Sequence, residues 1–250
     1  MKSVFTLGAA ALALALAGCG GSSAGNNASA LTNNAAPIPQ IAAPNNGDWT
    51  QVATMTDRGS YLLGNPNAPV KLVEYASITC PHCAEFTEAA ATPLRDRYVR
   101  SGQVSWEYRP FMIFPTDPGV FLLLRCLGPQ AFFHVAEQLY ADQRTWVGRL
   151  QAMPQAQLQA LDSLPPSQKA AALIRAAGLD EFFRQRGIPE GRMATCLGDD
   201  AALQQLGRGT QRAGTEDGVT GTPTFIVNGE KLDVGDWPGL EARLRTAIGG

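Results

Sequence analysis

The segment Cys-Pro-His-Cys at residues 80–83 constrains this chain more than any other feature, because it stands where a strand leads directly into a helix. Residues 68–77 (APVKLVEYAS) have the apolar pattern of a strand. The run that begins at residue 80 has apolar positions at helical spacing, and Pro93 is expected to kink or break it. Residues 103–114 alternate as a second strand. The order strand, helix, strand predicts a right-handed β-α-β unit.

The rest of the sequence predicts a helical block followed by the second half of a small sheet. Residues 117–212 are helical in pattern, and residues 224–234 predict a hairpin that turns at Asn228-Gly229. Asp236 is expected to cap a final helix. The expected fold class is therefore α/β, with a helical insertion at about 117–212 between a βαβ half and a ββα half.

Two cysteines at a strand-to-helix junction have a specific chemical meaning. The first of them, Cys80, faces the unpaired N–H groups and the positive dipole end of the helix, which stabilise a thiolate. We expect a lowered pKa, which makes Cys80 the nucleophile, and an oxidising pair, because stabilising the reduced thiolate disfavours the disulfide. His82 is expected to add a positive charge or a hydrogen-bond donor near Cys80. Cys83, one turn further along, is expected to be buried and to act as the resolving thiol.

Other kinds of site fit the sequence less well. Cys80, His82 and Cys83 lie within four residues, and such a cluster rarely forms a tetrahedral zinc site without a distant partner, so no metal is expected. No glycine-rich loop follows a strand to cradle a phosphate. The formal net charge is −2 and no basic stripe occurs, which argues against nucleic-acid binding.

The segments TCPHC and GTPTFIVNG, taken with the order of the elements, resemble the DsbA-type thioredoxin-fold family of exported disulfide oxidoreductases over about residues 58–248. The resemblance implies a thioredoxin-like fold with a helical insertion, and dithiol exchange without an organic cofactor or a metal. It implies that Pro223 is cis and packs beside the active-site sulfurs, and that Thr222 offers its backbone to an extended client peptide. It also places an acid, here Glu74, near the buried cysteine, where it helps proton transfer. A strand-edge glutamate that faces water is the alternative.

The remaining cysteines predict one structural crosslink. The chain has five cysteines, and once Cys19 and the neighbouring pair at residues 80 and 83 are set aside, Cys126 and Cys196 are left to bond to each other. A bond that closes about 70 residues would constrain the unfolded chain by roughly 4 kcal/mol. Two free buried cysteines are the alternative.

The first residues predict export. Lys2 precedes a short apolar run, and the segment LAGC resembles the lipobox of bacterial lipoproteins, in which residues 1–18 are removed and Cys19 carries lipid. An ordinary secretory signal is the alternative, and either signal sends the chain to an oxidising compartment. We interpret residues 19–57 as the lipid anchor and a flexible tether, and residues 58–250 as the folded domain.

Together these observations predict a thiol:disulfide oxidoreductase on the periplasmic face of a bacterial membrane. The outer membrane is favoured over the inner, because Gly20 stands where inner-membrane lipoproteins of enteric bacteria carry aspartate. The expected partners of this monomer are reduced client proteins and, by resemblance, a DsbB-like membrane quinone reductase that reoxidises the pair. A disulfide isomerase, a specialised thiol reductase and a non-enzymatic metallochaperone on a thioredoxin scaffold are the alternatives.

Overall fold

The computed structural model of the chain describes residues 37–249. The predicted signal peptide at residues 1–18 and the predicted lipidation site Cys19 lie outside the described residues. Between residues 37 and 249, no helix is both long enough and apolar enough to cross a membrane.

A six-stranded mixed sheet forms the centre of the described domain, in the order β1-β2-β4-β3-β5-β6. Its strands are β1 (Ala53–Met55), β2 (Tyr61–Leu63), β3 (Val70–Ala76), β4 (Val104–Pro110), β5 (Thr224–Val227) and β6 (Glu230–Lys231). Strands β3 and β4 run parallel, and the other neighbouring strands are antiparallel. Every residue of β3 except Lys71 is buried, because this central strand is covered on both faces.

The predicted β-α-β unit is present. Helix α1 (Pro81–Pro93) connects β3 to β4, and Pro93 is its last residue. The chain then continues as a π-helical segment, Leu94–Val99, without leaving the helical path. A proline removes one backbone hydrogen bond from a helix, and the wider π turn that follows accommodates the missing bond without ending the helix. The expected kink or break at Pro93 is therefore a change of helix type.

Eight helices lie between β4 and β5 in the described part of the chain, which confirms the predicted helical insertion. They are α2 (Asp117–Leu127), α3 (Pro129–Ala141), α4 (Gln143–Gln151), α5 (Gln155–Asp162), α6 (Pro166–Ala177), α7 (Leu179–Arg184), α8 (Glu190–Leu197) and α9 (Asp200–Thr215). A disulfide between Cys126 and Cys196 joins α2 to α8, with the two Cα atoms 6.1 Å apart.

The second half of the sheet follows the predicted order. Strand β5 pairs with β3, and the hairpin turns at Asn228 and Gly229, whose φ angles of 50° and 87° are left-handed. Strand β6 is shorter than expected. The last helix, α10 (Trp237–Ile248), begins after Asp236, whose carboxylate accepts a hydrogen bond from a backbone N–H of the first turn. This cap agrees with the predicted helix start.

The folded domain begins before residue 58, earlier than the sequence indicated. The N–H of Ile41 donates to the carbonyl of Ser101 over 2.7 Å, and the indole N–H of the buried Trp49 donates to the carbonyl of Ile41 over 2.8 Å. Strands β1 and β2 then extend the sheet beyond β4. Each has three residues, which is too short for a periodic pattern, so long-range pairing defines them. The prediction of a tether at residues 19–57 is therefore wrong for residues 41–57.

Aromatic packing holds the two halves of the sheet together beneath the start of α1. Phe86 on α1 packs on Phe225 of β5, with ring centroids 4.5 Å apart, and both side chains are buried. Phe225 lies two residues after Pro223. The contact therefore fixes the beginning of α1 relative to the loop that precedes β5.

Candidate active site

The sulfur of Cys80 lies where α1 begins. Cys80 is the residue immediately before the helix, and its Sγ is 3.3 Å from the carbonyl oxygen of Thr222. Cys80 is 5 % exposed, whereas Cys83, one turn further along, has no exposed surface. No disulfide joins the two cysteines. A thiol that arrives from outside can therefore reach only Cys80.

The surroundings of Cys80 favour its thiolate and lower its pKa from 9.0 to about 5. The largest cause is the hydrogen bond from the side chain of Cys83, and the side chain of Thr222 and the N–H groups of Cys83 and His82 act in the same direction against burial. When protonated, Cys80 donates to the Thr222 carbonyl. Once ionised, its sulfur accepts from the N–H groups at the helix start.

Cys83 behaves in the opposite way. Burial raises its pKa well above 9.0, and its hydrogen bond to Cys80 and the nearby Glu74 raise it further. In the reduced pair at neutral pH, Cys80 is therefore the thiolate and Cys83 the thiol. The two sulfurs divide the chemistry, because a thiolate attacks and a thiol does not.

The peptide bond between Thr222 and Pro223 is cis, and this loop lies against the Cys80 sulfur. The hydroxyl of Thr222 is buried and has no hydrogen-bond partner among the described residues. The Thr222 side chain nevertheless lies close enough to both cysteines to lower the pKa of Cys80 and of Cys83. The structure thus brings together the four residues that the sequence assigned to the dithiol and to the proline loop.

Glu74 is a buried carboxyl on the central strand. It is 1 % exposed, its Oε2 accepts a hydrogen bond of 2.9 Å from the indole N–H of Trp106, and its Oε1 has no partner in the described part of the chain. Burial raises its pKa from 4.5 to about 8, against the smaller effect of the Trp106 bond. The alternative of a glutamate that faces water does not fit this position. A carboxyl with this pKa exchanges protons near neutral pH.

The imidazole of His82 points away from Cys80. Its side chain is 74 % exposed, and Nδ1 lies 3.1 Å from Oε2 of Glu85 on the outer face of α1. What reaches the Cys80 sulfur from this residue is the backbone N–H. The expectation that the His82 side chain supplies a charge or donor beside Cys80 is therefore not met by its position.

A buried carboxylate that the sequence did not reveal holds the loop before Cys80. Oδ1 of Asp117, at the start of α2, accepts from the N–H and the hydroxyl of Thr79, over 3.2 and 2.9 Å. Its Oδ2 accepts from the hydroxyl of Ser77 over 2.9 Å, and from the N–H groups of Ile113 and Phe114 over 2.8 and 3.0 Å. Burial raises the pKa of Asp117, and the backbone donors oppose that rise.

Gln143 holds the same loop from another helix. Its Nε2 donates to the carbonyls of Ile78 and Cys80 over 2.8 and 2.9 Å. The Thr-Asp-Pro segment that contains Asp117 has the signature of a helix start, which indicates a cap but not a contact with a distant loop. No local signal marks Gln143.

Two cavities open beside Cys80. One, of about 590 Å³, lies between the loop and the helical insertion, and its mostly apolar lining includes Val147 and the half-exposed Phe114. The other, of about 410 Å³, lies beside Pro223 and Trp237. In the part of the chain that the structure describes, no three metal-ligating side chains cluster together.

Comparisons with known proteins agree with this geometry. Residues 56–248 match the family model described as Thioredoxin. A solved structure from Novosphingobium aromaticivorans, described as a protein-disulfide isomerase, is similar with a TM-score of 0.73 and 29 % identity, over 80 % of this chain and 100 % of that one. The alpha-DsbA1 of Wolbachia pipientis shares the fold, with a TM-score of 0.58 and 20 % identity over 76 % of this chain and 91 % of its own.

A sequence relative comes from Rickettsia prowazekii. This protein, provisionally named a protein-disulfide oxidoreductase, is 27 % identical over 185 residues, which are 74 % of this chain. The chain spans 60 % of the length of that relative. Because the family model covers the dithiol, the helical insertion and the sheet from β2 onward, the chain belongs to the thioredoxin family.

Proposed function

We propose that this chain is an exported thiol:disulfide oxidoreductase that introduces disulfides into client proteins through Cys80 and Cys83. The observation that carries the proposal is the division of the pair into a stabilised thiolate that keeps a small exposed surface and a fully buried thiol. A reduced pair that is stabilised as a thiolate makes its disulfide a strong oxidant.

The reaction proceeds in two exchanges. A client thiolate attacks Sγ of Cys80 in the oxidised pair, the bond between the two sulfurs breaks, and Cys83 leaves with the electron pair and takes up a proton. A second client thiolate then attacks the client sulfur of the mixed disulfide, and Cys80 leaves as a thiolate. The client gains one disulfide, and the pair is left reduced by two electrons. The departure of Cys80 in the second exchange is favourable because the pKa of its thiol is low.

Glu74 supplies the proton that Cys83 needs in this scheme. It is close enough to raise the pKa of Cys83, and with its own pKa near 8 it is protonated at neutral pH. A proton held beside a departing thiolate lowers the charge that the buried site would otherwise carry.

Client binding uses the proline loop and the cavities around Cys80. An extended peptide can pair with the backbone at Thr222, as a strand added to an edge. The two cavities beside Cys80, one of them mostly apolar, offer room for side chains that flank the client cysteine. Such contacts select unfolded clients, because folded proteins bury their apolar residues.

The alkylation rate of the reduced protein, followed from pH 3 to pH 9, tests the proposal together with the redox equilibrium against glutathione. An alkylation midpoint near pH 5 and an equilibrium that favours the reduced pair support an oxidase. A midpoint near the ordinary thiol pKa and a reducing equilibrium point to a reductase. A Cys80→Ser variant with full activity would remove every dithiol mechanism.

Disulfide isomerisation is the second candidate, because the structure from Novosphingobium aromaticivorans is described as an isomerase. An isomerase uses the same Cys80 thiolate but begins from the reduced pair, and it reshuffles bonds without net oxidation. Incubation of the reduced protein with a scrambled client separates the two. Recovery of the native client without added oxidant indicates isomerisation.

We also propose that the mature chain is anchored to the periplasmic face of a membrane through lipid on Cys19, with the outer membrane favoured, and that a DsbB-like quinone reductase reoxidises the pair. Fractionation of cells that express the native chain and a Cys19→Ser variant tests the anchor. The native chain is expected in the membrane fraction, and the Cys19→Ser variant is expected to be lost from it. Reoxidation is tested by the redox state of Cys80 and Cys83 in cells that lack such a reductase.

A further inference from the structure

Gln143 is a buried polar side chain with an unusual pair of partners. It is the first residue of α4 and is 4 % exposed. Its Nε2 donates to the carbonyl of Ile78 over 2.8 Å and to the carbonyl of Cys80 over 2.9 Å. One side chain from the helical insertion therefore holds two carbonyls of the four-residue loop, residues 77–80, between β3 and α1.

The carbonyl of Cys80 is also the first acceptor of α1. The N–H of Ala84 donates to it over 3.2 Å, so this oxygen receives both the first helical hydrogen bond and the amide of Gln143. The orientation of this carbonyl determines the direction of the Cys80 backbone and hence of the bond from Cα to Cβ. In the structure this direction brings Sγ to 3.3 Å from the carbonyl of Thr222.

The stabilisation of the Cys80 thiolate depends on that direction. The sulfur accepts from N–H groups of the first turn, and hydrogen bonds weaken steeply with angle. Asp117 holds Ser77 and Thr79 from the other side, so loss of the Gln143 contacts would shift the loop without releasing it. A shifted loop would keep the fold but weaken the contacts of the sulfur.

We propose that Gln143 is a positioning residue for the reaction at Cys80: by holding the carbonyls of Ile78 and Cys80, it keeps the sulfur against the first turn of α1 and against Thr222. This inference rests on the proposed function, since it concerns the same thiolate. Through it, the helical insertion sets the reactivity of a sulfur that belongs to the sheet half of the molecule.

The charged and titratable groups around the loop stay the same when Gln143 is changed to an apolar residue. On α1 they are His82, Cys83 and Glu85, and Glu74 lies on β3. The groups that the insertion contributes are Asp117, Tyr140, Asp142, Arg144, Asp162 and Lys169. A change in the titration of Cys80 would therefore report a change of geometry.

The test compares alkylation of reduced Cys80 with iodoacetamide across pH in the native chain, in Gln143→Met and in Gln130→Met. Methionine has nearly the size of glutamine but no N–H donor. Gln130 on α3 controls for the change of glutamine to methionine, because its exposed side chain donates from Nε2 to the carbonyl of Ala53 over 2.9 Å, away from the loop. The midpoint of the native chain is expected near pH 5.

The midpoint of Gln143→Met is expected about one pH unit higher, which makes alkylation at pH 5 roughly fivefold slower and leaves the rate at pH 9 unchanged. Gln143→Glu is expected to shift further, because a carboxylate beside the loop disfavours a thiolate. Gln130→Met is expected to follow the native profile. A purely structural role for Gln143 would lower the stability of the protein and leave the profile unmoved.

A Gln143→Met profile that coincides with the native one would overturn the inference. If that variant fails to fold, Gln143→Asn is the second test, because asparagine keeps the amide but is one methylene too short to reach both carbonyls. A shifted alkylation profile of Gln143→Asn supports the positioning role, and a profile that coincides with the native one rejects it. A native midpoint near the ordinary thiol pKa would contradict the proposed function itself, and the positioning role with it.

Discussion

Replacement of Glu74 by glutamine offers the sharpest test of the electrostatics of this site. The carboxyl is buried on β3, Trp106 donates to one of its oxygens, and the other has no partner among the described residues. Burial raises its pKa from 4.5 to about 8. Glu74→Gln keeps the size and an oxygen for Trp106 but removes the titration.

The sign of the effect follows from the raised pKa. Below pH 4.5 the carboxyl is protonated in both the folded and the unfolded chain, so its protonation favours neither state. Above pH 4.5 the unfolded chain loses the proton and the folded protein keeps it until about pH 8. Stability contributed by this group is therefore present at low pH and is lost as the pH rises. The difference between the pKa of 4.5 in the unfolded chain and about 8 in the folded protein, at about 1.4 kcal/mol per pH unit, limits this loss of stability to about 5 kcal/mol.

Urea unfolding of the native chain and Glu74→Gln at several pH values from 4 to 9 measures this loss. Both proteins are kept oxidised at residues 80 and 83, so that these sulfurs do not titrate. The free energy of unfolding of Glu74→Gln, relative to the native chain, is expected to rise by about 3–5 kcal/mol between pH 4.5 and pH 9. A constant offset at all pH values is also expected, because the new amide N–H groups are partly unpaired.

The test depends on how the difference in free energy of unfolding between Glu74→Gln and the native chain changes with pH, and not on its constant offset. Glu88→Gln, at an exposed position on α1, is the control and is expected to give a flat difference, because water solvates that side chain in both states. If Glu74→Gln also gives a flat difference across this range, the buried carboxyl is not held neutral and the reasoning about proton supply to Cys83 is wrong.

Three further predictions follow from the site and its scaffold. Cys83→Ser is expected to accumulate mixed disulfides between Cys80 and clients, visible by mass spectrometry, whereas Cys80→Ser is expected to trap none because residue 83 is fully buried. Asp117→Asn is expected to lower the free energy of unfolding by about 2–4 kcal/mol, measured in urea, and to slow alkylation of Cys80 at pH 5. Joint replacement of Cys126 and Cys196 by alanine is expected to lower the free energy of unfolding by roughly 4 kcal/mol, measured in the same way.

Each of these expectations has a clear contrary result. Client adducts on Cys80→Ser would show that the buried sulfur is reachable. Unaltered stability and alkylation in Asp117→Asn would show that the loop does not depend on its three hydrogen bonds to that carboxylate. A double alanine variant as stable as the native chain would show that the crosslink between α2 and α8 does not constrain the unfolded chain.

Local signals were enough for the central part of the fold. The strand that ends before the dithiol, the helix that follows it, the turn at Asn228 and the cap at Asp236 all depend on neighbouring residues, and the structure has them where the sequence indicated. Part of the lowered pKa of Cys80 belongs to the same class, because the N–H groups of His82 and Cys83 follow it in the sequence, whereas the contribution of Thr222 comes from a distant loop. These features could be read from segments of about ten residues.

Features that depend on distant partners could not be read in that way. Strands β1 and β2 are defined by pairing that ends on β4, and no period can develop in three residues. Asp117 and Gln143 lie about 40 and 60 residues after the loop that they hold, and nothing near them in the sequence marks that contact. The sequence predicted that the imidazole of His82 lies beside Cys80, because the two residues are close in the chain. In the structure the imidazole contacts the carboxylate of Glu85 on the next turn instead.

The attachment of Ile41 to Ser101 determines at which end of the sheet residue 41 meets the folded domain. Ser101 lies just before β4, and Cys80 lies just beyond the end of the parallel strand β3. Seven-residue strands separate these two ends of the sheet by on the order of 20 Å. Residue 41 therefore joins the domain at the end of the sheet opposite the dithiol, and under the proposed anchor on Cys19 the described segment that leads into the domain would not cross the approach to the reactive sulfur.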